Sequence, residues 1–165
     1  MAFLWNYRGW ILTAALLVGA YFINVEVQTY LGQQALNELS KDGLEAHSVA
    51  DAQSFAAANP AAAGGPRLIL ADLSAIWCPN CRRLDETVFA DRGVQAELEQ
   101  NYVFARIEYE SEAGEAFMRR YEVSGFPTLL VLNANGDLIR NLPVSFDPAS
   151  FRNTLRNIHK NHATL

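Results

Sequence analysis

The stretch Trp77-Cys78-Pro79-Asn80-Cys81 contains the only two cysteines of this 165-residue chain, separated by two residues. A mainly apolar run, Leu68 to Leu73, precedes it, and a helix-like run, Arg82 to Phe89, follows it. A cysteine pair at the start of a helix after a buried strand is typical of a redox site. The free N–H groups and positive dipole end of a helix favour a thiolate on the first cysteine, the species that attacks disulfides. The stretch therefore predicts a thiol–disulfide site.

Composition and charge exclude several other classes of function. Half of the residues are hydrophobic, and the length suits one domain plus an appendage. The net charge of −5 leaves no basic footprint for nucleic acid. Two cysteines cannot build a disulfide framework, and a structural zinc site needs four ligands. Because His47, His159 and His162 lack ligand spacing to the cysteines, we expect no metal site.

The N-terminal segment has the pattern of an export or membrane segment. Residues Trp10 to Ile23 are almost wholly apolar, and they lie between Arg8 and Glu26. This charge bias predicts a cytoplasmic N-terminus, with the rest of the chain across the membrane. The run falls short of the roughly 20 residues of a spanning helix, but it extends to Val27 if two polar residues lie near the far interface. We therefore expect an uncleaved single-pass anchor in the cytoplasmic membrane.

Two alternatives for this segment stay open. A cleaved signal peptide would use Val18-Gly19-Ala20 as its small-residue site and leave a soluble periplasmic protein, and a buried core helix would not cross a membrane. The predicted organisation is an anchor or signal segment over 1–30, a linker over 31–47 and a redox domain over 48–165. Export would place the cysteines where disulfide chemistry is common.

Downstream patterns predict alternating strands and helices. Ser48 or Asp51 caps a helix, and Leu68 to Leu73 is a strand buried on both faces. Asn135-Gly136 predicts a type I′ hairpin turn. The further predicted elements are a helix after Asp91, a strand over Tyr102–Ile107, a helix over Ser111–Tyr121, strands over Leu129–Leu132 and Leu138–Arg140, and a last helix opened by Asp147-Pro148. This order predicts an α/β fold in which helices flank both faces of a mixed sheet.

Asp72 interrupts the apolar strand and has two interpretations. A buried carboxylate is costly unless it is paired or used, and burial would raise its pKa so that it exchanges protons with Cys81. Alternatively, Asp72 lies at the end of the strand and is solvated. The residues alone do not separate these interpretations.

Several separated motifs together resemble the thioredoxin family over about Ser48 to Ile158. The W-C-x-x-C stretch matches, Asp72 falls six positions before Cys78 as the buried aspartate of thioredoxins does, and Gly125-Phe126-Pro127-Thr128 falls at their cis-proline loop. Asn135-Gly136 matches their final hairpin. The helix from Cys81 is similar to a subgroup that includes the C-terminal periplasmic domain of the disulfide interchange protein DsbD. The chain departs from the family in its Pro79-Asn80 dipeptide and in a last strand without the usual glycine.

The resemblance implies a role for each candidate site residue. Cys78 attacks a substrate disulfide, Cys81 resolves the mixed disulfide, and Asp72 assists proton transfer. The expected substrate-contacting residues are Trp77, Pro79, Phe126 and Pro127, with Pro127 in the cis form and the Phe126 backbone offering strand-like hydrogen bonds. No organic cofactor is expected.

The resemblance to the DsbD-like subgroup favours a reductase of disulfides in exported proteins, supplied by a membrane electron donor. An oxidase or isomerase would use the same residues at a more oxidising potential. Two functions from other classes also stay open. Cys78 and Cys81 would serve as soft ligands in a copper(I) chaperone, and the fold alone would serve in a non-catalytic peptide-docking module.

Overall fold

A computed structural model describes residues 2–41, 44–62 and 64–163 of the chain. Six helices and four strands make up this part of the chain. They are α1 (Ala2–Lys41), α2 (Val49–Ala58), β1 (Leu68–Ser74), α3 (Pro79–Leu84), α4 (Arg92–Asn101), β2 (Tyr102–Glu108), α5 (Glu112–Tyr121), β3 (Thr128–Leu132), β4 (Leu138–Leu142) and α6 (Pro148–Ala163). A π-helical turn, Asp85–Phe89, follows α3 directly.

The strands form one mixed sheet in the order β2-β1-β3-β4. Strand β1 pairs with β2 in parallel and with β3 antiparallel, and β3 pairs antiparallel with β4. All seven residues of β1 are buried, as expected for a strand covered on both faces. The parallel register places Asp72 beside Arg106, so their side chains emerge on the same face of the sheet.

Each face of the sheet carries its own hydrophobic core. One core joins alternate residues of β1 and β2, such as Leu68 and Leu70, to the C-terminal end of α1, the π-helical turn, α4 and α6. The other joins the intervening residues, such as Ile69 and Ala71, to α2 and α5. The predicted thioredoxin-like sheet with helices on both faces is therefore confirmed.

Caps fix the helix starts where the sequence predicts them. The Ser48 side chain accepts a hydrogen bond from the Asp51 N–H, Asp91 accepts one from the Val94 N–H, and Ser111 Oγ accepts one from Gly114. Each satisfies a backbone donor that the first turn of a helix leaves unpaired. Pro148 occupies the first position of α6, as predicted.

Two local predictions differ from the structure. The helix predicted to continue to Phe89 becomes a π-helical turn at Asp85. The hairpin does not have a type I′ turn, because only Gly136 and not Asn135 has a positive φ, and an Asn133 N–H to Asp137 hydrogen bond closes a three-residue loop. Outside the four strands, His47 forms a single parallel bridge to Ala105.

Helix α1 combines two different surfaces in one continuous element. Between Gly9 and Lys41 it is long and apolar enough to cross a membrane, and its most apolar window is not buried by the described chain. From Gln28 onward, one side of α1 packs on the redox domain, where Gly32, Ala35 and Leu39 are buried. The helix runs unbroken across the boundary at residue 30 that we predict between anchor and linker.

Candidate redox site

The two cysteines occupy the start of α3 as free thiols. Cys78 is the N-cap residue, and its Sγ accepts a hydrogen bond from the Cys81 N–H at 3.2 Å. This hydrogen bond stabilises negative charge on Cys78 Sγ. Cys78 is 6% exposed and Cys81 is 1% exposed, so Cys78 is the outer residue of the pair. The geometry suits attack by Cys78 on an external disulfide.

Asp72 is fully buried on the face of the sheet that α3 covers, so the solvated interpretation of this residue is wrong. Ser74 Oγ donates a 2.6 Å hydrogen bond to Asp72 Oδ1. Arg106 Nη1 lies 3.2 Å from Asp72 Oδ2, an ionic contact. Among the described residues Oδ2 has no hydrogen-bond partner. Burial raises the pKa of Asp72, against the opposing effects of Arg106 and Ser74.

A second buried carboxylate, Asp85, shares the same guanidinium. Its Oδ1 accepts a 2.6 Å hydrogen bond from Arg106 Nη1, and the residue is 1% exposed. Burial raises the pKa of Asp85 to about 6, although Arg106 lowers it. For Arg106, burial alone would lower the pKa, but Asp72 and Asp85 together raise it. One guanidinium thus balances two carboxylates directly behind the cysteine pair.

The inner cysteine is held in its protonated form. Burial is the main reason that the pKa of the Cys81 thiol is raised, and the hydrogen bond with Cys78 and the nearby Asp72 charge add to it. A buried thiol must lose its proton before it becomes a nucleophile. A nearby group able to accept that proton is therefore chemically useful, and Asp72 has an oxygen without a hydrogen bond.

Aromatic side chains surround the cysteines on their outer side. Trp77 and Phe126 meet edge to face with ring centroids 5.3 Å apart, and the Tyr109 ring lies 4.5 Å from Phe126. The Trp77 indole N–H donates a 3.0 Å hydrogen bond to Glu110 Oε2. The Phe126–Pro127 peptide bond is cis, which confirms that prediction. Together these rings form an apolar wall beside Cys78.

Two contacts at Ile76 hold the loop before Cys78. The Ile76 N–H donates to Glu108 Oε1 at 3.3 Å. On the other side, Gly32 of α1 lies so close to the Ile76 carbonyl that a Cβ on Gly32 would collide with it. The loop is therefore fixed between the end of β2 and α1.

The structure brings together most of the site residues that the sequence predicts. Cys78, Cys81, Trp77 and Phe126 form one cluster, whereas Pro79 is an exposed residue at the first position of α3. Sequence reasoning missed five residues around the site, namely Gly32, Asp85, Arg106, Tyr109 and Glu110. Two of these residues left a signal in the sequence. Arg106 is a charged residue within a predicted strand, and Asp85 is a carboxylate four positions after Cys81.

Comparison with protein-family models identifies a thioredoxin-like domain over residues 55–159. The disulfide interchange protein DsbD of Haemophilus influenzae strain PittEE is 29% identical over 96 residues. That alignment covers 56% of this chain but only 16% of DsbD. The chain therefore corresponds to a small part of this relative.

Solved structures show the same fold. A thioredoxin from Thermus thermophilus is 27% identical with a TM-score of 0.58, and the match covers 70% of this chain and 86% of that protein. The reduced C-terminal domain of Neisseria meningitidis DsbD has a TM-score of 0.53 at 15% identity, covering 66% of this chain and 90% of that domain. At 15% identity, the similarity to the DsbD domain concerns the fold alone.

Proposed function

The chain belongs to the thioredoxin-like family, and from this membership we propose that it is a thiol–disulfide oxidoreductase that reduces disulfides of exported proteins. The observation that carries the proposal is the cysteine pair at the start of α3. The Sγ of the outer Cys78 accepts a hydrogen bond from the Cys81 N–H, and the inner Cys81 lies near the buried carboxylate of Asp72. Relatives named as disulfide interchange proteins support the same chemistry.

In the first step, the Cys78 thiolate attacks one sulfur of a substrate disulfide. A bond forms between Cys78 Sγ and that sulfur, the substrate disulfide breaks, and the other substrate sulfur leaves as a thiolate that takes up a proton. The apolar wall of Trp77, Phe126 and Tyr109 supports docking of an extended substrate segment beside Cys78, with cis-Pro127 at its edge and Pro79 on the exposed side.

In the second step, Cys81 loses its proton and attacks Cys78 Sγ. The Cys78–Cys81 disulfide forms and the reduced substrate leaves, so two electrons have passed from the protein to the substrate. We assign the proton to Asp72, whose Oδ2 lacks a hydrogen bond among the described residues. A membrane electron donor would then return the protein to its dithiol form.

We further propose that α1 is an uncleaved single-pass anchor and that the redox domain lies on the periplasmic side. One continuous helix joins the apolar segment to residues that are buried in the domain, including Gly32 and Leu39. The mass of the mature protein tests this proposal, because cleavage after Ala20 would remove the apolar segment.

Cys81→Ser in the otherwise unchanged chain tests the activity. We expect this variant to accumulate mixed disulfides with exported proteins through Cys78, because the resolving thiol is gone. The matched Cys78→Ser variant should accumulate none. A non-catalytic docking module would yield no mixed disulfide in either variant, and that result would refute the proposed activity.

The direction of electron flow depends on the reduction potential. Equilibration with glutathione measures it, and for a two-electron couple 30 mV corresponds to about 1.4 kcal/mol. A potential near that of thioredoxin, about −270 mV, is expected for a reductase. A potential near that of a strong oxidant would assign the protein to disulfide formation instead.

A further inference from the structure

Contacts from the anchor helix lie on both sides of the cysteine motif. Gly32 packs against the carbonyl of Ile76, two residues before Cys78. Gln28 Oε1 accepts a 3.4 Å hydrogen bond from Arg82, the residue after Cys81. Helix α1 is therefore a neighbour of the redox site itself.

The contact seam on α1 has a regular spacing. The seam runs through Gln28, Gly32, Ala35 and Leu39, alternately four and three residues apart, and it is bordered by the half-buried Thr29, Leu31 and Leu36. This spacing keeps one side of a helix against its neighbour. Leu39 belongs to the hydrophobic core of the domain, and Gln28, at the other end of the seam, directly follows the apolar segment as extended to Val27. Helix α1 is continuous over Ala2–Lys41, so no loop interrupts it between the apolar segment and the seam.

The seam sets the height of the site above a membrane. If the hydrocarbon layer ends near Val27, Gln28 and Gly32 lie about 1.5 and 7.5 Å beyond it along the helix axis. The polar headgroup layer is roughly 5–8 Å thick on each side of a bilayer. The residues that flank the cysteine motif therefore lie at the level of the lipid headgroups.

We infer that α1 is a rigid mount that restricts the redox site to disulfides presented at the headgroup layer, as they are by a membrane-embedded partner protein. This inference rests on the proposed function. A flexible tether would let the domain search a volume set by its length, whereas the packed seam holds Cys78 at one height. Arg82 is half-buried and pairs with Glu86, whereas Arg83 is exposed, and an exposed positive side chain near this level is compatible with phosphate headgroups.

Vesicles of phosphatidylethanolamine and phosphatidylglycerol that contain the full chain in its dithiol form test the inference. The probe is one cystine-bridged peptide in three forms: free in solution, lipid-attached through a spacer of about 5 Å, and lipid-attached through a spacer of about 40 Å. The measured quantity is the rate at which each form is reduced. The wild-type protein should reduce the short-spacer form fastest, because its disulfide is confined to the headgroup layer.

Each of two insertions between Val27 and Gln28 keeps the anchor and the seam but changes the connection between them. The first insertion, of about ten glycine and serine residues, makes this connection flexible. The second, of seven helix-forming residues, raises the site by about 10 Å and keeps the seam on nearly the same helix face. The flexible insertion should lower the short-spacer rate about fivefold while the free-peptide rate stays within about twofold. The helical insertion should shift the preference to the longer spacer.

The outcomes separate this inference from the proposed function. Equal short-spacer rates in the wild type and both insertion variants would overturn the rigid mount while leaving the oxidoreductase proposal intact. Failure of the wild type to reduce any form of the peptide, including the free one, would overturn the proposed function and the inference with it.

Discussion

Arg106 Nη1 lies 2.6 Å from Asp85 Oδ1, and this ion pair joins the sheet to the π-helical turn that follows the redox helix. The same guanidinium nitrogen lies 3.2 Å from Asp72. Two carboxylates therefore share one cation in a site that excludes most solvent. Because burial disfavours the second negative charge, the cluster can hold a proton close to Cys81.

Asp85→Asn should change the pH dependence of stability. The pKa of Asp85 is about 6 in the folded protein and 3.8 as an ordinary carboxyl group, so the folded state binds the proton more tightly. The stability contributed by this proton is fully present below about pH 4 and is lost as the pH rises through about 6. From pH 4 to 7, the wild type should lose about 2–3 kcal/mol relative to Asp85→Asn, measured by urea unfolding.

Glu115→Gln is the matched control, because it removes one carboxylate from an exposed position on α5 that does not contribute to the pKa of Asp85. It should leave the pH dependence of the wild type in place. The same pH profile in the wild type and Asp85→Asn would contradict the assignment of the proton to Asp85.

Asp72→Asn should slow the second step of the reaction selectively. The Cys81 thiol is buried and its pKa is raised, so removing Asp72, the proposed proton acceptor, should lower the rate of resolution about 10- to 100-fold near pH 7. The first attack by Cys78 should be little changed, so the mixed disulfide should accumulate transiently in rapid-quench measurements. Equal resolution rates in the variant and the wild type would exclude Asp72 as the acceptor.

Gly32→Ala should weaken docking of helix α1 on the redox domain. Its Cβ would collide with the Ile76 carbonyl, and overpacking of this kind costs about 1–3 kcal/mol. We expect a lower unfolding temperature in detergent micelles and faster hydrogen exchange in the second half of α1. Gly19→Ala is the matched control on the same helix, because its Cβ would meet nothing within 4 Å. Equal losses in both variants would show that the contact with Ile76 is unimportant.

Glu110→Ala should weaken substrate docking through Trp77. The variant removes the acceptor of the indole N–H, so the Trp77 ring is less well held against Phe126. We expect KM for a disulfide peptide to rise about threefold with kcat unchanged. Glu110→Gln keeps an oxygen acceptor and should restore the wild-type KM. A defect of equal size in Glu110→Gln would point to the negative charge instead.

The local elements follow closely from sequence. Caps such as Ser48 and Ser111, the buried run of β1 and the proline that opens α6 act through neighbouring residues, so their patterns predict the elements. The predicted hairpin forms, but the predicted type I′ turn was wrong. Asn135-Gly136 fits more than one tight turn, and the Asn133–Asp137 hydrogen bond closes a three-residue loop instead.

The sequence by itself determined the cysteine pair, its position at a helix start, the candidate proton acceptor and the apolar N-terminal segment. The tertiary structure alone decided that Arg106 joins Asp72 to Asp85 and that Gly32 lies against Ile76. These contacts depend on strand register and helix packing between residues distant along the chain. Local periodicity and capping carry no information on such pairings, because they report only interactions within a few residues.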